Sequence, residues 1–488
     1  MNFSCFAAPA RWGQALLVAA LLTQCQSKTP DTPTPAPGPG TTTPTGPSQV
    51  AQWVTTSDKF RLFQKGTQVM NFGTATGQNP TIVVDTTRAY QSIDGFGYTL
   101  TGGSATLLHQ LDATTRAALL QELFGTANNG IGVSYLRISI GASDLSSREF
   151  TYDDLNTGQT DPQLTQFSIA PERADLIPVL REILAINPSI KILGSPWSAP
   201  AWMKTNNSLR GGALQAQYYA TYANYLVKYL QAMRAEGITL DAVTLQNEPL
   251  NANNNPSMVM TAAEQATFIK NNVGPAFQAA GLATKIILYD HNTDHTEYPL
   301  SILADPLVRQ YVDGSAFHLY AGAISSLSDV HNAYPAQNVY FTEQWVGGPG
   351  NFASDVSWHI NTLIIGATRN WSRNVLEWNL AADPSYGPHT NGGCSTCLGA
   401  LTIAGSAVTR NAAYYTVAHA AKFVRPGSVR VDTNLPANLP NVAFKIPNGQ
   451  KVLIVLNTSN SPQTFDIQYR GKAATATLQD GSVGTYIW

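Results

Sequence analysis

Charge is scarce in this chain: Asp, Glu, Lys and Arg make up 12% of its 488 residues, and the formal net charge is -2. No block of like charge exceeds a few residues, so the composition offers nothing to nucleic acid, an acidic surface or another polyion. A neutral ligand fits it better. Cysteine is also scarce. Cys5 and Cys25 lie near the N-terminus, which leaves Cys394 and Cys397 in "GGCSTCLG" as the pair in the folded part. Two ligands do not make a zinc site, and these Gly-rich flanks are not the strand and helix of a thioredoxin-like motif. In an exported chain the pair reads as a local disulfide, with redox or metal-binding thiols and free thiols as the alternatives. Long apolar runs are missing as well: "ALLVAALL" (15–22) falls short of the roughly 20 residues of a spanning helix. No solenoid period is visible.

The short apolar run has a different use. Preceded by Arg11, it makes residues 1–25 an export signal. The segment ends in "LLTQC", which puts Cys25 where the acylated cysteine of a bacterial lipoprotein stands, with Gln24 in place of the usual small residue. A Pro/Thr/Gly-rich spacer over residues 26–52 suits a tether. The expected location is therefore the cell surface or periplasm, held to the outer membrane by a lipid, with ordinary cleavage and secretion as the alternative.

From residue 91 onward, apolar or β-branched runs alternate with helical stretches. Eight runs precede residue 385: 92–99, 135–141, 191–198, 242–249, 285–292, 314–320, 338–345 and 374–381. Each begins apolar and ends polar or aromatic. Between them lie helix patterns such as 105–125 and 215–237, with apolar residues recurring at three and four and a glycine stop. Eight alternations predict an α/β fold, a (β/α)8 TIM barrel over residues 91–424. After the helix at 411–423 the pattern becomes short alternating strands separated by "NG", "RG" and "DG", a small antiparallel β side domain over 425–488. Residues 53–90 carry the same alternation and are expected to add strands to that sheet.

Chemistry in such a barrel sits where the strands end. Those ends carry Arg137 and Asp144, Trp197, Asn247 and Glu248, Asp290 and His291, His318 and Tyr320, Glu343 and Trp345, and Glu377 with Trp378. A single glutamate there is ordinarily a solvated or salt-bridged loop residue. Glu248 and Glu343, however, each follow an apolar run directly, on strands 4 and 7, opposite one another in an eight-strand ring. Such a pair suits glycoside hydrolysis, in which one carboxyl protonates the leaving oxygen and the other attacks the anomeric carbon. The amide of Asn247 can donate to a sugar 2-hydroxyl. Trp197, Trp345 and Trp378 can stack on sugar faces, with core packing as the alternative for each. No metal or cofactor is expected, since His291, His318 and Asp290 share no paired spacing and the reaction needs no ion.

"TLQNEP" and "VYFTEQW", with "SIDGFGYTLTGGSA", "RISIGASDLSSREFTYDD", "SPWSAPAWMKTNNSLRGGAL" and "HAAKFVRPGSVRV", resemble glycoside hydrolase family 30 over residues 91 to 430. The resemblance is to the glucosylceramidase and β-1,6-glucanase branches rather than the xylanase branch, and implies a retaining enzyme with a β-sandwich side domain. By motif, Glu248 is implied as the acid/base and Glu343 as the nucleophile, while Arg137, Asp144, Trp197, Asn247, Tyr320 and Trp378 line the glycone subsite. The carboxyls are then expected about 5 Å apart. Tyr320 is expected to help hold Glu343 ionised, and a neighbouring carboxylate to keep the proton on Glu248. Leu319 stands where glucosylceramidases carry a tryptophan, and the loop 383–402 is expected to shape the aglycone side.

The activity expected first is cleavage of β-1,6-glucan by a monomer, then of glucosylceramide or a short β-glucoside, then of a β-xyloside. Two readings compete from other classes. One is a non-catalytic surface glycan-binding lipoprotein, which would show a lost carboxylate. The other is a phosphate-dependent barrel enzyme, suggested by "VGGPGN" (346–351) but without a basic residue near it.

Overall fold

The computed structural model describes residues 49–488 except 68 and 76. The stretch expected to be an export signal, Cys25 and most of the expected spacer lie outside the described residues. Among the described helices none is long and apolar enough to cross a membrane.

Eight strands close a barrel: β1 (Gly95–Thr99), β2 (Tyr135–Ile140), β3 (Lys191–Pro196), β4 (Ala242–Thr244), β5 (Lys285–Asn292), β6 (Val312–His318), β7 (Asn338–Glu343) and β8 (Ser372–Asn379). All pairings are parallel, and β8 pairs with β1 to complete the ring. Each strand falls on one of the eight runs. The helical stretch 105–125 differs from expectation: it forms two helices, Gly102–Gln110 and Ala113–Phe124. Asp112 causes the break, because its carboxylate accepts from the Thr114 and Thr115 N–H groups and caps a new helix.

Side chains alternate along a strand, so residues two apart share a face. The barrel interior shows this as layers. Tyr135, Leu193, Ala242, Ile287, Ala316, Tyr340 and Leu376 pack together as a buried apolar layer, one from each of β2 to β8. Gly97 on β1 pairs with both Tyr135 and Leu376, and a Cβ there would meet the Tyr135 carbonyl at 1.8 Å. Two residues further along, the same strands carry Arg137, Ser195, Thr244, His318, Thr342 and Trp378. Only β5 departs. Tyr289 and Asp290 have φ of +71° and +68°, and the register against β6 shifts between Tyr289 and His291. This bulge turns Asp290 inward where Tyr289 would otherwise point.

The side domain draws strands from both ends of the described residues. Gln49–Thr55 pairs with Val483–Ile487, and Thr81–Ser92 pairs with Val429–Thr433 and with Gln463–Tyr469. Its core gathers Val50, Ile82, Leu453, Phe465, Ile467 and Tyr486. The first strand begins at Gln49, inside the expected spacer of 26–52, which corrects that boundary. "QVAQWVT" has no proline or glycine, so the break lies at "GPS" just before it.

Candidate active site

Above the apolar layer the barrel is charged. Asp290, with no exposed surface, accepts at Oδ2 from Arg137 Nη2 (2.8 Å), Thr244 Oγ1 (2.7 Å) and Ser195 Oγ (3.0 Å). Its Oδ1 accepts from Thr342 Oγ1 (2.7 Å) and lies 3.1 Å from His318 Nε2. Burial works against this charge, but Arg137 and His318 outweigh burial and hold the carboxyl far below its ordinary range. Arg137, also fully buried, donates from Nε to Ser195 Oγ (3.1 Å) and from Nη2 to Asn247 Oδ1 (2.7 Å). With its oxygen so occupied, the Asn247 amide keeps Nδ2 as a donor. A buried cation needs such a ring of partners, because an unpaired one would cost several kcal/mol.

The two glutamates sit on this platform. Glu343 Oε2 is paired with Arg137 Nη1, and Tyr320 OH donates to Oε1 (2.9 Å). Glu248 Oε1 lies 3.3 Å from His318 Nδ1, and Oε2 accepts from Asn251 Nδ2 (2.8 Å). Ligand atoms of Glu248, His318 and Glu343 all lie within 4.8 Å of one another. That is the short separation of a direct displacement, not the roughly 6.5–9.5 Å that leaves room for a water.

The backbone at Glu248 is unusual. A residue before proline is ordinarily extended, yet Glu248, which precedes Pro249, has φ of +47°. Neighbouring loops hold it there. Its N–H donates to the Asp290 carbonyl (3.0 Å), its carbonyl accepts from Asn251 N–H (2.8 Å), and Asn247 N–H donates to the Pro196 carbonyl (2.7 Å). Two strained places, the bulge on β5 and the turn after β4, thus brace each other.

The two carboxyls are shifted in directions opposite to those expected, Glu248 down and Glu343 up. Burial raises the Glu248 pKa, but the hydrogen bond and charge of His318 outweigh it, and with His291 and Asn251 bring it down to about 2. Glu343 goes up, because full burial and the charges of Glu248 and Asp290 exceed the help of His318 and Arg137. His318 itself is lifted to about 9: burial opposes its charge, and the anions Glu343, Asp290 and Glu248 overcome that. The sequence expectation counted a carboxylate beside Glu248 and left out the imidazolium.

A cavity of about 590 Å³ opens above these groups, lined by Glu248, Glu343, Asp144, Tyr320, Trp345 and Trp378 among others. Arg137 and Asn247 lie behind its wall. So does Trp197, only 1% exposed, with Arg137 over its ring at 4.8 Å and Trp378 at 5.6 Å. Its expected role as a stacking surface is therefore corrected: it forms the floor under Arg137. Glu377 faces outward to His359 (2.8 Å) and takes no part. Cys394 and Cys397 are disulfide-bonded and line the cavity. Their loop, expected on the aglycone side, reaches Asp144, Trp197 and Trp378, and it also accepts from Asn255 Nδ2 at the Asn391 carbonyl (3.0 Å). Asp290 and His318 were visible at strand ends but were not chosen, since a spacing rule for metals ignores partners on other strands. The trio Glu248, His318 and Glu343 could hold a cation, but both His318 nitrogens and Glu343 Oε2 already have partners, and Arg137 supplies the positive charge.

Comparison with known proteins gives a consistent picture. A model of the glycosyl hydrolase family 30 TIM-barrel domain matches residues 93–424, and one of the family 30 beta sandwich domain matches 427–486. An endo-1,6-β-D-glucanase of Trichoderma harzianum is 37% identical over 398 residues, covering 77% of this chain and 79% of that protein. The lysosomal acid glucosylceramidase of Mus musculus is 29% identical over 442 residues, covering 85% and 84%. The solved structure of an endo-β1,6-glucanase superposes with a TM-score of 0.84 at 35% identity, covering 90% of this chain and 99% of that one.

Proposed function

The chain belongs to glycoside hydrolase family 30, and from that premise we propose that it cleaves β-1,6-glucan by double displacement, with Glu343 as nucleophile and Glu248 as acid/base. The observation that carries the mechanism is the separation within 4.8 Å, with Arg137 and Tyr320 donating to the two oxygens of Glu343. Those donors stabilise the anion at the moment it attacks C1. The His318–Glu248 pair carries one proton for the leaving oxygen: it passes from His318 Nδ1 to Glu248 across 3.3 Å and on to the leaving oxygen, which leaves the imidazole neutral and Glu248 a carboxylate. In the second step Glu248 takes a proton from water, which attacks C1 from the face the leaving group left. Two inversions give net retention. The linkage rests on the endo-1,6-β-glucanase relatives, which are more similar than the glucosylceramidases. The cleft agrees, because Asn251, Asn253 and Asn254 offer amides beside Glu248, which suit a sugar leaving group better than a lipid.

A panel of β-1,6-glucan, laminarin, xylan, glucosylceramide and aryl β-glycosides tests this, with product lengths and the first-formed anomer followed by NMR. β-1,6-glucan is expected to turn over fastest, releasing the β anomer first. A first-formed α anomer would reject the mechanism, and preference for glucosylceramide would reject the substrate.

A further inference from the structure

The site above leaves one wall unexplained. Asp144, beyond β2, is 6% exposed and faces the cavity, yet no cation is bonded to it among the described residues. Its carboxyl accepts one hydrogen bond, from the backbone N–H of Cys394 to Oδ2 (3.3 Å). Burial, with the charge of Glu343, lifts its pKa to about 7, and the Cys394 N–H is the largest influence in the opposite direction.

The rest of that loop grips the same residue. Thr390 donates from its N–H to the Asp144 carbonyl (2.8 Å), while its Oγ1 donates to the Asn255 carbonyl (2.6 Å). A Cβ on Gly393 would come within 2.3 Å of that carbonyl oxygen, so only glycine allows the approach. The two cysteines are held differently. Cys397 is 4% exposed, packs with Leu145, Trp197 and Trp378, and pairs in register with Gly347 just past β7. Cys394 is partly exposed and has no strand partner. The disulfide is what ties its N–H to the aromatic floor of the cavity.

We propose that the Cys394–Cys397 disulfide is a positioning element of the sugar pocket: it fixes the Cys394 N–H against Asp144, so that this carboxyl is presented in one orientation to the hydroxyl groups of a neutral sugar. The inference rests on the glycosidase reading of the cleft and adds to it. A carboxylate binds a hydroxyl well only when its second oxygen is free and its first is anchored, and the loop supplies the anchor. A plain staple would leave sugar affinity untouched, since residues 394–397 close a very short ring that removes little unfolded-chain entropy.

The test compares wild type, wild type in a phosphine reductant, Cys394→Ser/Cys397→Ser, and Gly393→Ala, which keeps the disulfide but displaces the loop from Asp144. Loss of the hydrogen bond is expected to raise KM for β-1,6-glucan roughly tenfold with kcat changed less than about threefold. The carboxyl of Asp144, followed by 13C NMR, should titrate at higher pH in all three perturbed forms than in wild type. Unchanged KM and an unchanged Asp144 titration, with only a lower melting temperature, would overturn the proposal. If the double variant does not fold, the reductant and Gly393→Ala still decide it. A wild type without turnover whose Asp144 titration still responds to the reductant would instead reject the glycosidase reading alone.

Discussion

Two layers of the same barrel, one strand period apart, obey opposite rules. The lower holds Leu193, Ile287, Ala316 and Leu376, packed with one another and with the rings of Tyr135 and Tyr340. The upper holds Arg137, Ser195, Thr244, His318 and Thr342, each hydrogen-bonded to Asp290 at its centre. Both are buried, so water does not distinguish them. The lower layer stabilises by removing carbon from water, at about 25 cal/mol per Å². The upper one gains little net stability, since desolvating its charges costs as much as their attraction returns. It holds two carboxyls at close range and fixes where the protons are. A barrel can carry such a layer because the layer beneath is dry and close-packed.

The comparison breaks most sharply at Arg137. In Arg137→Met, Asp290 and Glu343 stay buried without their cation. Turnover is expected to fall by about 10³ or more, and urea unfolding should show a loss of roughly 3–5 kcal/mol. Wild-type turnover in that variant would mean that the chemistry does not use the upper layer's charge.

His318 sharpens the contrast through pH. Its pKa is raised from 6.5 to about 9, so the stability it adds is present in full below pH 6.5 and is lost as pH rises through about 9. His318→Gln should be less stable than the wild type at pH 6, by on the order of 2 kcal/mol, and the gap between the two should close as pH rises from 6.5 to 9.5. An equal alkaline fall in both would place the titrating group elsewhere. The depressed Asp290 and Glu248 act in the opposite direction: their contribution is lost as pH falls below the ordinary carboxylate range.

The smallest effect belongs to the lower layer. Ile287→Val should cost about 0.5–1.5 kcal/mol and leave kcat within about twofold. Urea unfolding and a Michaelis curve check this, and a tenfold drop in kcat would show that the two layers are coupled.

How much of this was legible follows from the same contrast. The eight strands were visible because both faces of a barrel strand are buried, which leaves unbroken apolar runs. Glu248 and Glu343 were visible because each interrupts such a run at its end. Asp290 was not, for a local reason: alternation from Ile287 places Tyr289 inside, and only the bulge reverses it. His318 stood in view, but its effect on Glu248 comes from a contact between β6 and the turn after β4, which no spacing within one strand encodes. Trp197 was misplaced because an aromatic residue at a strand end reads alike whether it walls the cavity or lies beneath its arginine. The start of the side domain at Gln49 was lost in a tail whose composition changes two residues earlier.

The pairing of Gln49–Thr55 with Val483–Ile487 sets an order of events during synthesis. Gln49–Thr55 finds short partners early, at Gln64–Lys65 and Met70–Asn71, but its pairing with Val483–Ile487 waits for about 430 further residues, which at about 5–20 residues per second is at least some twenty seconds. Throughout that interval an apolar strand has an open edge, the surface on which nascent chains aggregate. The barrel is left open too: β1 pairs with β2 early, but its other edge waits for β8. The barrel thus closes first and the side domain last, and a chain shortened by its final six residues would lose the strand with which Gln49–Thr55 pairs.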